Sequence, residues 1–333
     1  MSEQTTGRAM TRRMFMARTG KAGLAVLGTA GLGLGLYDAK GPASPDSVAS
    51  SKLVSLPDFS LPNLAGKMAI IKGSDRAKSL AAGFTALGGI EAFIKPGDRV
   101  LLKVNAAFAS PPILSATSNP ELVLALIRLC QKAKAAQVIV ADNPIQDPAS
   151  CFTLSGIAQA CEKAGARLML PRPSWFAPYS LAAGRLIKNW PLFYEPFKGI
   201  NKVIGVTPVK DHHRSGASLT MKNWYGLLGG QRSIFHQDIH GIITELALMI
   251  KPTLVILDGV ASMMKNGPTG GSLSDLKATE TLILSTDQVA ADALGAELLE
   301  KTPAQVPFLN MAARAGAGMA DYNSLRPIRA AAG

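Results

Sequence analysis

From residue 67 onward, short apolar runs alternate with stretches of helical spacing. The apolar runs fall at 67–71, 99–104, 137–141, 167–170, 202–206, 254–257 and 281–284. Each is too short for a core helix and rich in Val, Ile and Leu, which predicts strands buried on both faces. Between them, apolar positions recur at helical intervals over 77–87, 120–135, 154–164, 235–250 and 288–300. Asn119-Pro120-Glu121 is a helix start, with Asn as the cap and Pro in the first turn, and Gly165 is a stop. Strand–helix alternation predicts an α/β fold: an open, mostly parallel sheet with helices on both faces. The aromatic- and proline-rich stretch 174–197 breaks the rhythm and predicts an inserted hairpin or flap. No second composition regime is visible, so residues 51–333 are expected to form one domain.

The first fifty residues have a different logic. Thr11-Arg12-Arg13-Met14-Phe15-Met16 has the twin-arginine pattern, and a Gly/Ala-rich apolar run follows over 22–37. That run is shorter than the roughly 20 residues needed to cross a bilayer, so the segment is expected to be an export signal. Export in folded form through the Tat translocase, and a periplasmic location, follow as expectations. The small-residue triplet Ser47-Val48-Ala49 lies far beyond the apolar run, in a linker at 41–51. An uncleaved signal serving as a membrane anchor is therefore also expected. Gly31, Gly33 and Gly35 do not make a nucleotide fingerprint, because no strand precedes them and GxGxxG is not completed.

Composition narrows the function classes. With 47% apolar and 17% charged residues in 333, the chain is neither disordered nor a multi-span membrane protein. The net charge of +12 is spread along the chain. With 6% aromatics and no nucleic-acid motif, it argues for a solvated basic surface and anionic ligands, and against a nucleic-acid partner. Cys130, Cys151 and Cys161 lack the spacing of a cysteine-ligated iron–sulfur cluster. Cys130 fits a helix core. Cys151 and Cys161 fit either a disulfide in an oxidising compartment or two buried thiols.

Candidate chemistry collects at predicted strand ends, where α/β sheets bind ligands. Asp142 and Asp258 each follow an apolar run, Lys103 and Asn105 end another, and Lys210 follows a fourth. Singly, such residues often only cap turns; together they point to one sheet edge. All four histidines lie between 212 and 240. On a continuous helix over 235–250, His236 and His240 would share a face and could bind one metal ion, with His212 as a third ligand. The zinc-protease pattern is absent, since Gln237 stands where its Glu would be. The other reading is a set of hydrogen-bonded histidines gripping an anion. In that case Lys210, Lys222 and Asn223 would bind a carboxylate or phosphate. No P-loop or nucleophile elbow occurs. The loop 266–271 either borders this site or only turns the chain.

These residues resemble the DUF362 family. The resemblance rests on Lys210-Asp211-His212, Gly216-x-Ser218, Lys222-Asn223, His236/His240, Leu257-Asp258-Gly259, Asn266-Gly267-Pro268 and Asp287-x-x-Ala290-x-Asp292-Ala293. Lys103-x-Asn105, Ser118-Asn119-Pro120 and Ala141-Asp142-Asn143 fit the same pattern, so it runs from about 67 to 320. Asp211 and Ser218 stand where Thr is common. Some members carry a ferredoxin-like cysteine segment, which this chain lacks. The resemblance implies a fold but no settled reaction. Two functions are expected: an exported protein binding a metal ion or small anion at a histidine-rich site, or a non-catalytic accessory or assembly subunit with a periplasmic redox partner.

Overall fold

The computed structural model describes residues 11–35 and 52–333; the linker 41–51 and the Ser47-Val48-Ala49 triplet fall outside the described residues. The chain divides into units 1–43 and 44–333. In the first, helix α1 (Arg12–Gly35) spans the arginine pair and most of the apolar run.

The second unit holds one large sheet. Its elements are β1 (Met68–Lys72), α2 (Arg76–Ala86), β2 (Arg99–Lys103), α3 (Pro120–Lys132), β3 (Gln137–Ala141), α4 (Pro148–Leu154), α5 (Ile157–Ala164) and β4 (Arg167–Met169). An antiparallel hairpin, β5 (Phe176–Tyr179) and β6 (Trp190–Phe193), comes next. Then follow β7 (Lys202–His212), β8 (Gly216–Ser218), α6 (Thr220–Asn223), α7 (Ile239–Met249), β9 (Leu254–Met263), β10 (Leu276–Ser285), α8 (Gln288–Leu298), α9 (Phe308–Arg314) and β11 (Ile328–Ala331). The strand order is β11-β1-β10-β9-β7-β2-β3-β4, with β8 beside β7. Along that order only β10 runs against its neighbours, so the sheet is mostly parallel as expected.

Alternation along the strands divides the core. Val100, Leu102, Val138, Val140, Ile204 and Ile256 pack on one face with Leu80 and Phe84 of α2, Leu126 of α3 and Ile157 of α5. Leu101, Ile139, Val203, Val255 and Leu257 pack on the other with Ile242 and Leu246 of α7, Val289 of α8 and Phe308 of α9. A period of two delivers successive side chains to opposite faces, and burying both is what makes each run continuously apolar. Asn119 caps α3 as predicted, accepting from the Glu121 N–H at 2.9 Å, and Gly165 ends α5 in the left-handed conformation.

Several expectations are corrected. The insertion is a hairpin but not a flap: Trp190 is buried, packs on Phe235 with ring centroids 4.4 Å apart and donates to the Gly229 carbonyl at 3.0 Å. The hairpin's connecting loop is held from α7, where the Glu245 carboxylate accepts from the backbone N–H groups of Arg185, Leu186 and Ile187. The helix expected over 154–164 is split by Gly156, which takes φ +73° between α4 and α5. The helix expected over 235–250 starts only at Ile239. Asp238 caps it through the Gly241 N–H at 3.0 Å, and residues 232–238 form a 3-10 segment. Of the two readings offered for Cys151 and Cys161, the second holds: they are free buried thiols, pushed up by burial to about 11 and about 12.

Candidate functional site

A cavity of about 640 Å³ opens beyond the carboxyl ends of β2 and β3 and beside the second half of β7. Its walls carry Asn105, Asp142, Lys210, His212, His213, Lys222, Asn223, Tyr225, Arg232, His236 and the loop Asn266–Gly270. Of the residues expected at the site, Asn105, Asp142, Lys210, Lys222, Asn223, His212 and His236 line it.

Local structure explains the placement. β7 continues past its apolar half, pairing with β8 through Lys210↔Ser218 and His212↔Gly216. Lys210 and His212 are two apart and share the cavity side, while Asp211 points away to an ion pair with Lys301 at 2.9 Å. Lys222 and Asn223 sit on α6, whose start is fixed from α8. There the Asp292 carboxylate accepts from the Thr220 N–H at 2.7 Å and the Met221 N–H at 3.0 Å. Burial pushes Asp292 up to about 7 in spite of these donors.

Lys103 stands behind the cavity wall, fully buried. Its ammonium meets Asp142 Oδ1 at 2.8 Å and donates to the Val104 carbonyl at 2.7 Å and the Asn223 carbonyl at 2.9 Å. Asp142 also accepts from the Ala106 N–H at 2.7 Å and the Asn143 N–H at 2.9 Å. Gly226 passes so close to this pair that a Cβ there would lie 2.0 Å from Asp142 Oδ1. Asn223 and Asn105 continue the network: Lys210 donates to Asn105 Oδ1 at 3.3 Å and to the Ala116 carbonyl at 2.6 Å.

The electrostatics are one-sided. Lys210, Lys222 and Arg232 border the cavity against one carboxylate, Asp142, which Lys103 already engages. Burial, then the neighbouring Lys222, lowers Lys210 to about 7. Burial, then Arg232, lowers Lys222 to about 8. The Lys222 ammonium lies 5.5 Å from the Tyr225 ring centroid and meets no hydrogen-bond acceptor among the described residues. Burial first, then Lys222, holds His212 down at about 2, and the same two causes lower His236. Both shifts favour the neutral imidazole.

Two expected residues lie elsewhere. Asp258 is mid-strand rather than at a strand end, because β9 runs on to Met263. Its carboxylate pairs with Arg76 of α2 at 2.7 Å. His240 is the second residue of α7; its ring stacks on Phe308 at 6.2 Å and is not part of the cavity wall. Starting the helix at Ile239 separates it from His236, so the cavity brings His212 and His236 together without His240. Among the described residues no three His, Cys, Asp or Glu side chains are gathered closely enough to hold a metal ion. Tyr225 and Arg232 escaped sequence reasoning. Arg232 donates to four carbonyls, those of Tyr225, Leu228, Asn143 and Pro144, and so ties the cavity's walls together. A second cavity, of about 550 Å³ beside Phe176 and Pro191, has one charged residue in its wall, Arg172, which is exposed and lies over the Trp175 ring.

Residues 100–297 match the family described as "Domain of unknown function (DUF362)". The chain belongs to the DUF362 family. The match takes in every residue of the cavity wall named above. A thylakoid-associated protein of Synechocystis sp. is 27% identical to this DUF362 chain over 243 residues, covering 69% of it and 72% of the relative. Among solved structures, the lactate racemase apoprotein of Thermoanaerobacterium thermosaccharolyticum aligns with TM-score 0.38 and 10% identity over 75% of the chain. A Thermotoga maritima protein aligns with TM-score 0.37 and 9% identity over 72%. The chain spans 60% and 59% of the length of those two proteins. At such scores neither likeness bears on function.

Proposed function

We propose that this DUF362 chain is an exported protein whose cavity binds a small oxyanion, a phosphate or carboxylate, among Lys210, Lys222 and His212. The observation that carries this reading is the charge imbalance: cations border a recess whose one carboxylate among the described residues is already engaged. An anion placed there would restore the protonated lysines that burial disfavours, and the Lys222 ammonium would gain the acceptor it lacks. His212 supports the anion over a metal ion. Its Nδ1 accepts from the backbone N–H groups of Arg214 and Ser215, so Nε2 keeps the hydrogen and has no lone pair to give.

Titration calorimetry of the full chain with inorganic phosphate tests this. Binding is expected, and Lys222→Met is expected to weaken it about tenfold or more, the worth of a charge-assisted hydrogen bond. Affinity unchanged in the variant would overturn the assignment.

For location, the twin-arginine segment and the thylakoid-associated relative both support export to, or association with, a membrane. Among the described residues no helix is long and apolar enough to cross one. Changing Arg12 and Arg13 together to Lys is expected to leave the protein in the cytoplasm, read by cell fractionation; export at the unaltered level would refute the signal. The relative's thylakoid association also favours a second reading, an accessory subunit held by a membrane-side redox partner. Co-purification with a stable partner, by a chain that takes up no anion, would decide for that reading.

A further inference from the structure

His212 and His236 border one cavity with nearly parallel rings, 6.1 Å between centroids and 21° between planes, but they carry their protons differently. On His212, Nδ1 accepts from the Arg214 N–H at 3.2 Å and the Ser215 N–H at 3.3 Å. A nitrogen that accepts bears no hydrogen, so the proton sits on Nε2 and that edge of the ring is a donor. On His236, Nδ1 lies 3.1 Å from the Ser233 carbonyl oxygen and 3.2 Å from the Tyr225 hydroxyl. A carbonyl only accepts. The Tyr225 hydroxyl, kept protonated by burial, already gives its hydrogen to the Arg232 carbonyl. The His236 proton is therefore on Nδ1, and Nε2 is left with a lone pair that accepts no hydrogen bond from any described residue. The Lys210, Lys222 and His212 donors thus share the cavity with a basic nitrogen that must itself receive a hydrogen.

We propose that the cavity selects an oxyanion that still carries an O–H, such as hydrogenphosphate, over one with none, such as sulfate, and that His236 is the residue that makes the distinction. This rests on the anion-binding reading above and sharpens it to a chemical class. A protonated oxyanion can accept from Lys222 and His212 while donating to His236 Nε2. A bare oxyanion turns an oxygen lone pair toward a nitrogen lone pair and leaves that nitrogen unpaired. Sites that leave a half-buried polar atom unmatched discriminate strongly between otherwise similar ligands.

Phosphate and sulfate make a clean comparison. At mildly alkaline pH both are tetrahedral dianions of similar size, differing by one hydrogen. Calorimetry of the full chain is expected to give phosphate at least about tenfold tighter binding than sulfate. His236→Phe, which keeps a ring but has no acceptor, is expected to bring the two affinities within about twofold of each other, mainly by weakening phosphate. Lys222→Met is expected to weaken both alike and leave their ratio standing. Equal affinities in the unaltered chain, a preference for sulfate, or a preference that survives His236→Phe would overturn the selectivity while leaving anion binding intact. Binding of neither anion would overturn both.

Discussion

Replacing Asp142 by alanine is expected to cost roughly 3–5 kcal/mol of stability, the usual consequence of stranding one partner of a buried ion pair. The Lys103 side chain is fully buried, and Asp142, 2.8 Å away, is the one carboxylate it meets. The same carboxylate also serves the backbone N–H groups of Ala106 and Asn143; without it the Ala106 N–H loses its acceptor and the Lys103 ammonium its counter-charge. The pH dependence has a definite sign. Burial lowers Lys103 below its ordinary value of 10.5 and Asp142 pulls it back up, so removing Asp142 lowers it further. Between that depressed value and the unfolded one, the unfolded chain holds more protons, and raising the pH favours the folded form. The variant's deficit should therefore shrink as the pH rises toward the unfolded lysine's value of 10.5. Denaturant unfolding at several pH values measures this. The double change Asp142→Ala with Lys103→Met should recover much of the loss, because no charge is then stranded. A single variant as stable as the unaltered chain would mean that Lys103 is neutral in the folded protein.

Gly216→Ala should be nearly as damaging, on the order of 3 kcal/mol, or a melting temperature lower by on the order of 10 °C. Two costs coincide at this position. Its φ of +77° is left-handed, which disfavours any residue with a Cβ. A Cβ would also lie 1.9 Å from the Gln305 carbonyl oxygen, and a backbone atom cannot escape by changing rotamer. Relief requires the β7–β8 turn to move. That turn carries the Ser215 N–H that fixes the His212 ring, so phosphate affinity should fall along with stability. Circular dichroism melting and calorimetry on the same sample test both parts, and an unchanged melting temperature would show that the turn yields freely.

Much of this arrangement was legible in the sequence because it follows from burial. The seven apolar runs are strands since both faces of the sheet are covered, and Asn105, Asp142 and Lys210 reached the cavity because residues near the ends of such strands gather at one edge. The failures have equally physical causes. Asp258 and Gly259 have the look of a turn, but β9 continues through them because β10 lies alongside, pairing Leu282 with Asp258 and Thr281 with Gly259. That long-range pairing leaves no local trace. Asp238 inside an apolar periodic stretch was a cap in disguise, and missing it made His236 and His240 partners on paper. Tyr225 and Arg232 come from irregular 3-10 backbone, where no period marks which side chain faces inward. Only the polar groups they join could have revealed them.

Arg232 also says how this recess would greet a guest. Four of its five guanidinium N–H groups already serve main-chain oxygens from two separate stretches, so it lends positive potential to the recess while most of its hydrogen bonds hold the walls. Walls riveted in this way are preorganised, and little conformational freedom remains to be lost when a ligand settles. Empty and loaded forms should therefore superpose closely, with uptake governed by how readily the anion sheds its water.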